Sequence, residues 1–188
     1  MSLTICTHLL LIAAVAAVHL GPTRSEPAAA LSLKLTAAAA AIRVGETPDI
    51  SAEIRNAGGE PALLVAPGDG SERGLRSPLA KWVIEPVPGE GRADGVLRTV
   101  MPCGNINALR PDQVFELKPG ETRRFSGWDG STFVKPGKYV VRYEYENRPN
   151  MEWAGIVLGE HDGGAMARVR QSLACKLTSG ELILTVGE

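Results

Sequence analysis

The sequence predicts an all-β protein: an antiparallel β-sandwich of seven to eight strands, with one short helix in a late insertion. Two observations predict it. Apolar residues alternate with polar ones along short runs, the pattern of strands with one buried face. The 21 Gly and 13 Pro fall between those runs, as Pro-Gly and Asp-Gly turns. Half-buried strands at this spacing imply antiparallel sheets packed face to face.

The elements follow in order. Leu31, Leu33 and Leu35 alternate with Ser32, Lys34 and Thr36. Ile50, Ala52 and Ile54 alternate with Ser51, Glu53 and Arg55, and the run ends in the turn Asn56-Ala57-Gly58-Gly59. Leu63 to Ala66 is a short apolar strand closed by Pro67-Gly68-Asp69-Gly70. Trp82 and Ile84 share one face, with Lys81 and Glu85 opposite. Phe115 and Leu117 precede the turn Lys118-Pro119-Gly120-Glu121, and Thr122 to Phe125 answers it. The strongest pattern runs from Lys138 to Glu146. Tyr139, Val141, Tyr143 and Tyr145 line one face there, and Arg142, Glu144 and Glu146 the other. Leu182, Leu184 and Val186 close the chain. Alternation assigns Tyr139, Val141 and Tyr143 to the same core as Leu33, Ile54 and Leu184.

Two segments interrupt the pattern. Pro88 to Pro111 is mostly polar and Gly-rich, with Val96 to Met101 as an edge strand. In Asn147 to Gly180, the stretch Ala165 to Cys175 carries Met166, Val169 and Leu173 at helical spacing. That spacing predicts a short amphipathic helix packed on the sheets.

The start of the chain reads as a secretory leader. Leu9 to Val18 is an unbroken apolar stretch of signal-peptide length, followed by Gly21, Pro22 and small residues up to Ala30. Residues 1–25 are expected to be removed, with cleavage as late as residue 30, leaving one domain over 31–188. An uncleaved signal anchor is the alternative, because no Lys or Arg precedes the apolar run. Cys6 lies before that run, so no lipid anchor is expected. The expected location is secreted or periplasmic. An oxidising compartment favours a bridge between Cys103 and Cys175, the two cysteines of the mature chain. The 20 basic and 21 acidic residues are evenly spread, which excludes a nucleic-acid footprint.

The turn chemistry carries a resemblance. Pro136-Gly137-Lys138-Tyr139 followed by Val140-Val141-Arg142-Tyr143 resembles the Pro-Gly-x-Tyr start of a late strand in immunoglobulin-like domains. Asn56 to Pro61 resembles the first turn of bacterial Ig-like modules, and Phe115 to Glu121 resembles their Leu-x-Pro-Gly-Glu hairpin. The order of the three pieces is similar to that of the BsuPI-type proteinase inhibitor domain. The resemblance spans Leu31 to Val186 and implies an immunoglobulin-like sandwich. It also implies a protease inhibitor as one role for the domain.

Catalytic machinery is not evident. There is no Gly-x-Ser-x-Gly elbow, HExxH, P-loop or GxGxxG. His161, beside Asp162 in a Gly-rich stretch, is the one histidine after the leader, and a hydrolase built around it is the enzymatic alternative. The acidic Gly loops at Asp69, Asp129 and Asp162 lack calcium-loop spacing, so no metal or other cofactor is expected. The candidate binding residues are Arg73 and Arg76, in the Pro67 to Pro78 loop with Glu72, and the loop tryptophans Trp128 and Trp153. The expectation is a non-catalytic interaction module whose loops meet an unknown protein or envelope component.

Overall fold

The computed structural model describes residues 31–98, 109–151 and 164–188. Residues 1–30, Cys103, Trp153 and His161 lie outside these residues, so the readings that rest on them lie outside as well. No helix among the described residues is long and apolar enough to cross a membrane.

The longest strand, β10 (Gly137–Asn147), organises the larger sheet. Its odd-numbered residues Tyr139 to Tyr145 are buried, while Arg142, Glu144 and Glu146 face outward. One edge of β10 pairs antiparallel with β5 (Leu79–Pro86), Trp82 lying opposite Tyr143. The other edge is shared by two strands. The first half of β10 pairs with β12 (Leu182–Gly187), and its end pairs with β11 (Cys175–Thr178). Both run antiparallel to β10, so β11 and β12 form one line broken by a bulge. Glu144 faces Thr178 and Val141 faces Leu182, which leaves Ser179, Gly180 and Glu181 opposite only Arg142 and Tyr143. Ser179 bridges the break. Its N–H donates to Tyr143 O, and its Oγ accepts from Tyr143 N, both at 2.9 Å. Strand β2 (Ala41–Arg43) adds in parallel to β12.

A second sheet holds β1 (Leu31–Ala37), β3 (Ile50–Asn56) and β8 (Thr122–Gly127) in the order β1-β3-β8. On β8 the ladder skips Phe125, which turns into the core against Tyr145 at 4.4 Å between ring centroids. Two short pairs complete the strands: β4 (Ala62–Val65) with β7 (Val114–Leu117), and β6 (Val96–Leu97) with β9 (Thr132–Phe133). One apolar core draws Leu33 and Ile54 from one sheet, Tyr139, Val141, Tyr143 and Leu184 from the other, and Leu64 and Leu117 from the β4–β7 pair. The six core residues named from alternation are therefore all buried together.

The helix α1 (Ala165–Gln171) starts where the sequence predicts and ends earlier. Asn147 explains the ending. Its Nδ2 donates to Ser172 Oγ at 2.7 Å and to Leu173 O at 2.8 Å, and its Oδ1 accepts from Ser77 Oγ at 3.1 Å. The chain is thereby drawn off the helix, and Cys175 pairs opposite Asn147 as the first residue of β11. Ala165 and Val169 cover a small second core with Val65, Leu109 and Val114. Strand β4 is thus covered on both faces, which is why Leu63 to Val65 shows no polar alternation.

Cys175 is a free, buried thiol among the described residues, and the expected bridge to Cys103 involves a residue outside them. Its side chain turns into the core beside Tyr145, and burial pushes its pKa up to about 11. Among the described residues the expected edge strand over Val96 to Met101 covers Val96–Leu97.

Candidate functional site

Two of the sequence-nominated regions meet. The Pro67–Arg73 part of the first loop and residues 126–129, at and just beyond the end of β8, line one open groove of about 600 Å³. Ala80, Lys81 and Trp82 of β5 form its floor, with Tyr143 behind them and Arg98 on the rim.

The floor is built from aromatic packing. Trp82 is buried, with its ring 4.8 Å from Tyr143 and 5.0 Å from Trp128, and its Nε1 donates to Gly127 O at 3.0 Å. Ser126 hydrogen-bonds the Tyr143 hydroxyl, but burial dominates and pushes that phenol up to about 12. It is a neutral donor at physiological pH. Trp128 is half-buried and stacks on Phe133 at 6.0 Å, and its Nε1 donates to Ser131 O at 2.7 Å. Asp129 Oδ1 accepts the Ser131 N–H at 2.9 Å, closing the turn through Gly130, whose φ of 83° favours glycine. The Asp-Gly-Ser sequence is spent on that turn.

The first loop contributes a 3₁₀ turn, Ser71–Arg73, between Gly70 and Gly74, both at positive φ. Ser71 Oγ accepts the Gly68 N–H at 3.1 Å. Arg73 is exposed and pairs with Glu72 at 3.6 Å, so it stands where a partner can reach it.

Arg76 departs from expectation. It is 1 % exposed, so it is not a surface binding residue. Its guanidinium lies against Gly68, where even a methyl group would come within 2.8 Å of Nη2. Desolvation lowers its pKa, and the charges of Asp69 and Glu72 oppose that shift. Arg76 is the post around which the loop is wound: loop charges read as solvated in sequence, but here one is enclosed by the loop's own backbone.

Arg98 is the groove residue that the sequence did not suggest. It follows the short β6, and its Nη1 donates to Trp82 O at 3.4 Å. No sequence pattern signals it, because its position depends on the β6–β9 pairing across the fold. Among the described residues no three His, Cys, Asp or Glu side chains gather in a way that could hold a metal ion. The groove offers an aromatic floor, hydroxyls and charges of both signs, a set suited to recognition. Comparison of the chain with protein-family models, with curated proteins and with solved structures gives no match.

Proposed function

We propose that this chain is an exported, non-catalytic binding module on an immunoglobulin-like β-sandwich, and that it recognises its partner in the groove beside Arg73 and Trp128. The observation that carries this reading is the convergence of two loops, distant in sequence, on one concave surface at the side of β5. Loops on a rigid β scaffold are the usual place for recognition. The resemblance of the Asn56, Pro119-Gly120 and Pro136-Gly137 turns to Ig-like domains supports the sandwich, and the apolar Leu9 to Val18 leader supports export.

The test is capture from the native envelope fraction with the tagged mature chain. Arg73→Ala and Trp128→Phe should each weaken capture while the fold persists, since Phe keeps an aromatic ring against Trp82. Capture unchanged by both substitutions would remove the groove from the function. Recovery of an extracellular protease, inhibited on binding, would make the module an inhibitor. Hydrolysis of a substrate panel that disappears in His161→Ala would make the protein an enzyme and end the non-catalytic reading.

A further inference from the structure

We propose that the groove takes an extended peptide bearing a carboxylate, and that the peptide adds to the outer edge of β5 as a further strand; this rests on the groove being the binding site.

Among the described residues strand β5 pairs with β10 alone. In an antiparallel ladder the N–H and C=O of one residue point to the same side, and the side alternates along the strand. Both backbone groups of Tyr143 are taken by Ser179, on the far side of β10. Trp82 lies opposite Tyr143, so this pair exchanges no hydrogen bonds and the backbone groups of Trp82 point away from β10. Arg98 gives independent evidence, because it reaches Trp82 O from outside the sheet. Ala80 and Ile84 share this parity, facing Tyr145 and Val141. Among the described residues no backbone group accepts from the N–H of Ala80, Trp82 or Ile84. Ala80 and Trp82 are nonetheless buried, where an unpaired N–H is costly. Among the described residues this edge offers a row of groups, the N–H of Ala80, Trp82 and Ile84 and the carbonyls of Ala80 and Ile84, while Arg98 holds the carbonyl of Trp82.

That row selects a peptide. Donors and acceptors repeating along a strand edge match an extended backbone, the complement used in strand addition. A sugar ring would instead need an open aromatic face. Trp82 and Tyr143 are buried, and Phe133 stacks on Trp128.

Charge selects the carboxylate. Lys81 pairs with Glu144 at 3.1 Å, and Arg73 pairs with Glu72. Arg98 is exposed and has no carboxylate within ion-pair distance among the described residues. An acidic side chain on the incoming strand would meet it.

The test uses the full chain, isotopically labelled, and three synthetic probes. The first is a capped seven-residue peptide of alternating Thr and Val with a central Glu. The second has Gln at the centre. The third keeps Glu but is N-methylated at alternate residues, which removes the main-chain donors and leaves the side chains. The Glu peptide should slow amide hydrogen exchange at Ala80, Trp82 and Ile84 by about tenfold or more. The N-methylated peptide should not. Arg98→Gln should weaken the Glu peptide roughly tenfold and leave the Gln peptide unchanged. Equal binding of the methylated probe would overturn strand addition. Unchanged exchange at β5, with envelope capture still sensitive to Trp128→Phe, would also overturn it and leave the groove as the site. Unchanged exchange with insensitive capture would overturn both, and Lys81 and Arg98 would then be guards against unwanted edge pairing.

Discussion

The side-chain amide of Asn56 donates to the carbonyl of Leu117, 61 residues further on, at 2.9 Å. The same amide donates to Glu60 O at 2.8 Å, and its Oδ1 accepts from Gly58 N at 2.9 Å. The Asn56 backbone joins in, donating to Glu121 O and accepting from Gly120 N. The Asn-Ala-Gly turn and the Leu-Lys-Pro-Gly-Glu hairpin are therefore one unit, locked through a side chain that is fully buried.

Asn56→Asp should cost roughly 2–4 kcal/mol, because a buried carboxylate would face two carbonyls that need a donor. Asn56→Ala should cost somewhat less. Urea unfolding midpoints at neutral pH would measure both. An Asp variant within about 0.5 kcal/mol of the parent would show that the clamp contributes nothing, given the usual range for neutral substitutions.

The three candidate binding residues within the described structure should not behave alike. Arg73→Ala, at an exposed position, should leave the melting temperature nearly unchanged. Trp128→Ala removes packing against Trp82 and Phe133 and should cost roughly 2–3 kcal/mol. Arg76→Ala should also destabilise, by releasing the loop wound over its guanidinium. Thermal unfolding of the three variants ranks them, and a stable Arg76→Ala would show that the loop holds itself.

Val141→Asp should prevent folding. Val141 is fully buried at the centre of β10, between Ile84 and Leu182, and an unpaired charge there has no partner. A soluble variant with a cooperative melt would place this strand face at the surface.

Stability should fall at alkaline pH. Burial raises the Cys175 thiol from 9.0 to about 11 and the Tyr143 phenol from 10.0 to about 12. For both groups the folded state favours the protonated form, so the stabilisation is fully present below the unfolded pKa and is lost as pH rises through the folded one. Unfolding free energy should decline from about pH 9 toward pH 12. Cys175→Ala should remove the earlier part of that decline. The same burial makes the thiol a poor nucleophile, so iodoacetamide should label it slowly at pH 8 unless the protein is unfolded.

Much of the sheet framework is legible in the sequence because the strands concerned have one wet face. Strand β10 shows this best, with tyrosines and Val141 inside and a ladder of charges outside, where Arg142 joins Glu85 at 2.5 Å and Glu181 at 2.9 Å. Strands β2, β9 and β11 are too short to display a period, and their pairing partners are distant. The end of α1 is set by Asn147 and the seat of Arg76 by Gly68, contacts that no local pattern encodes. The groove was half legible: turn chemistry and a loop tryptophan mark its walls, whereas Arg98 and the free edge of β5 emerge only once the strands are paired.

The broken line of β11 and β12 also acts as a change of phase. Before the break the inward residues are odd-numbered, Cys175 and Leu177; after it they are even-numbered, Leu184 and Val186. The extra residue opposite Arg142 and Tyr143 lets both halves face the same interior. Removing Gly180 alone would leave two residues opposite Arg142 and Tyr143 and run Leu177, Ser179, Leu182, Leu184 and Val186 into one unbroken inward alternation. What the extra residue adds is therefore local: it seats Ser179 so that a hydroxyl, in place of a backbone carbonyl, takes the Tyr143 N–H.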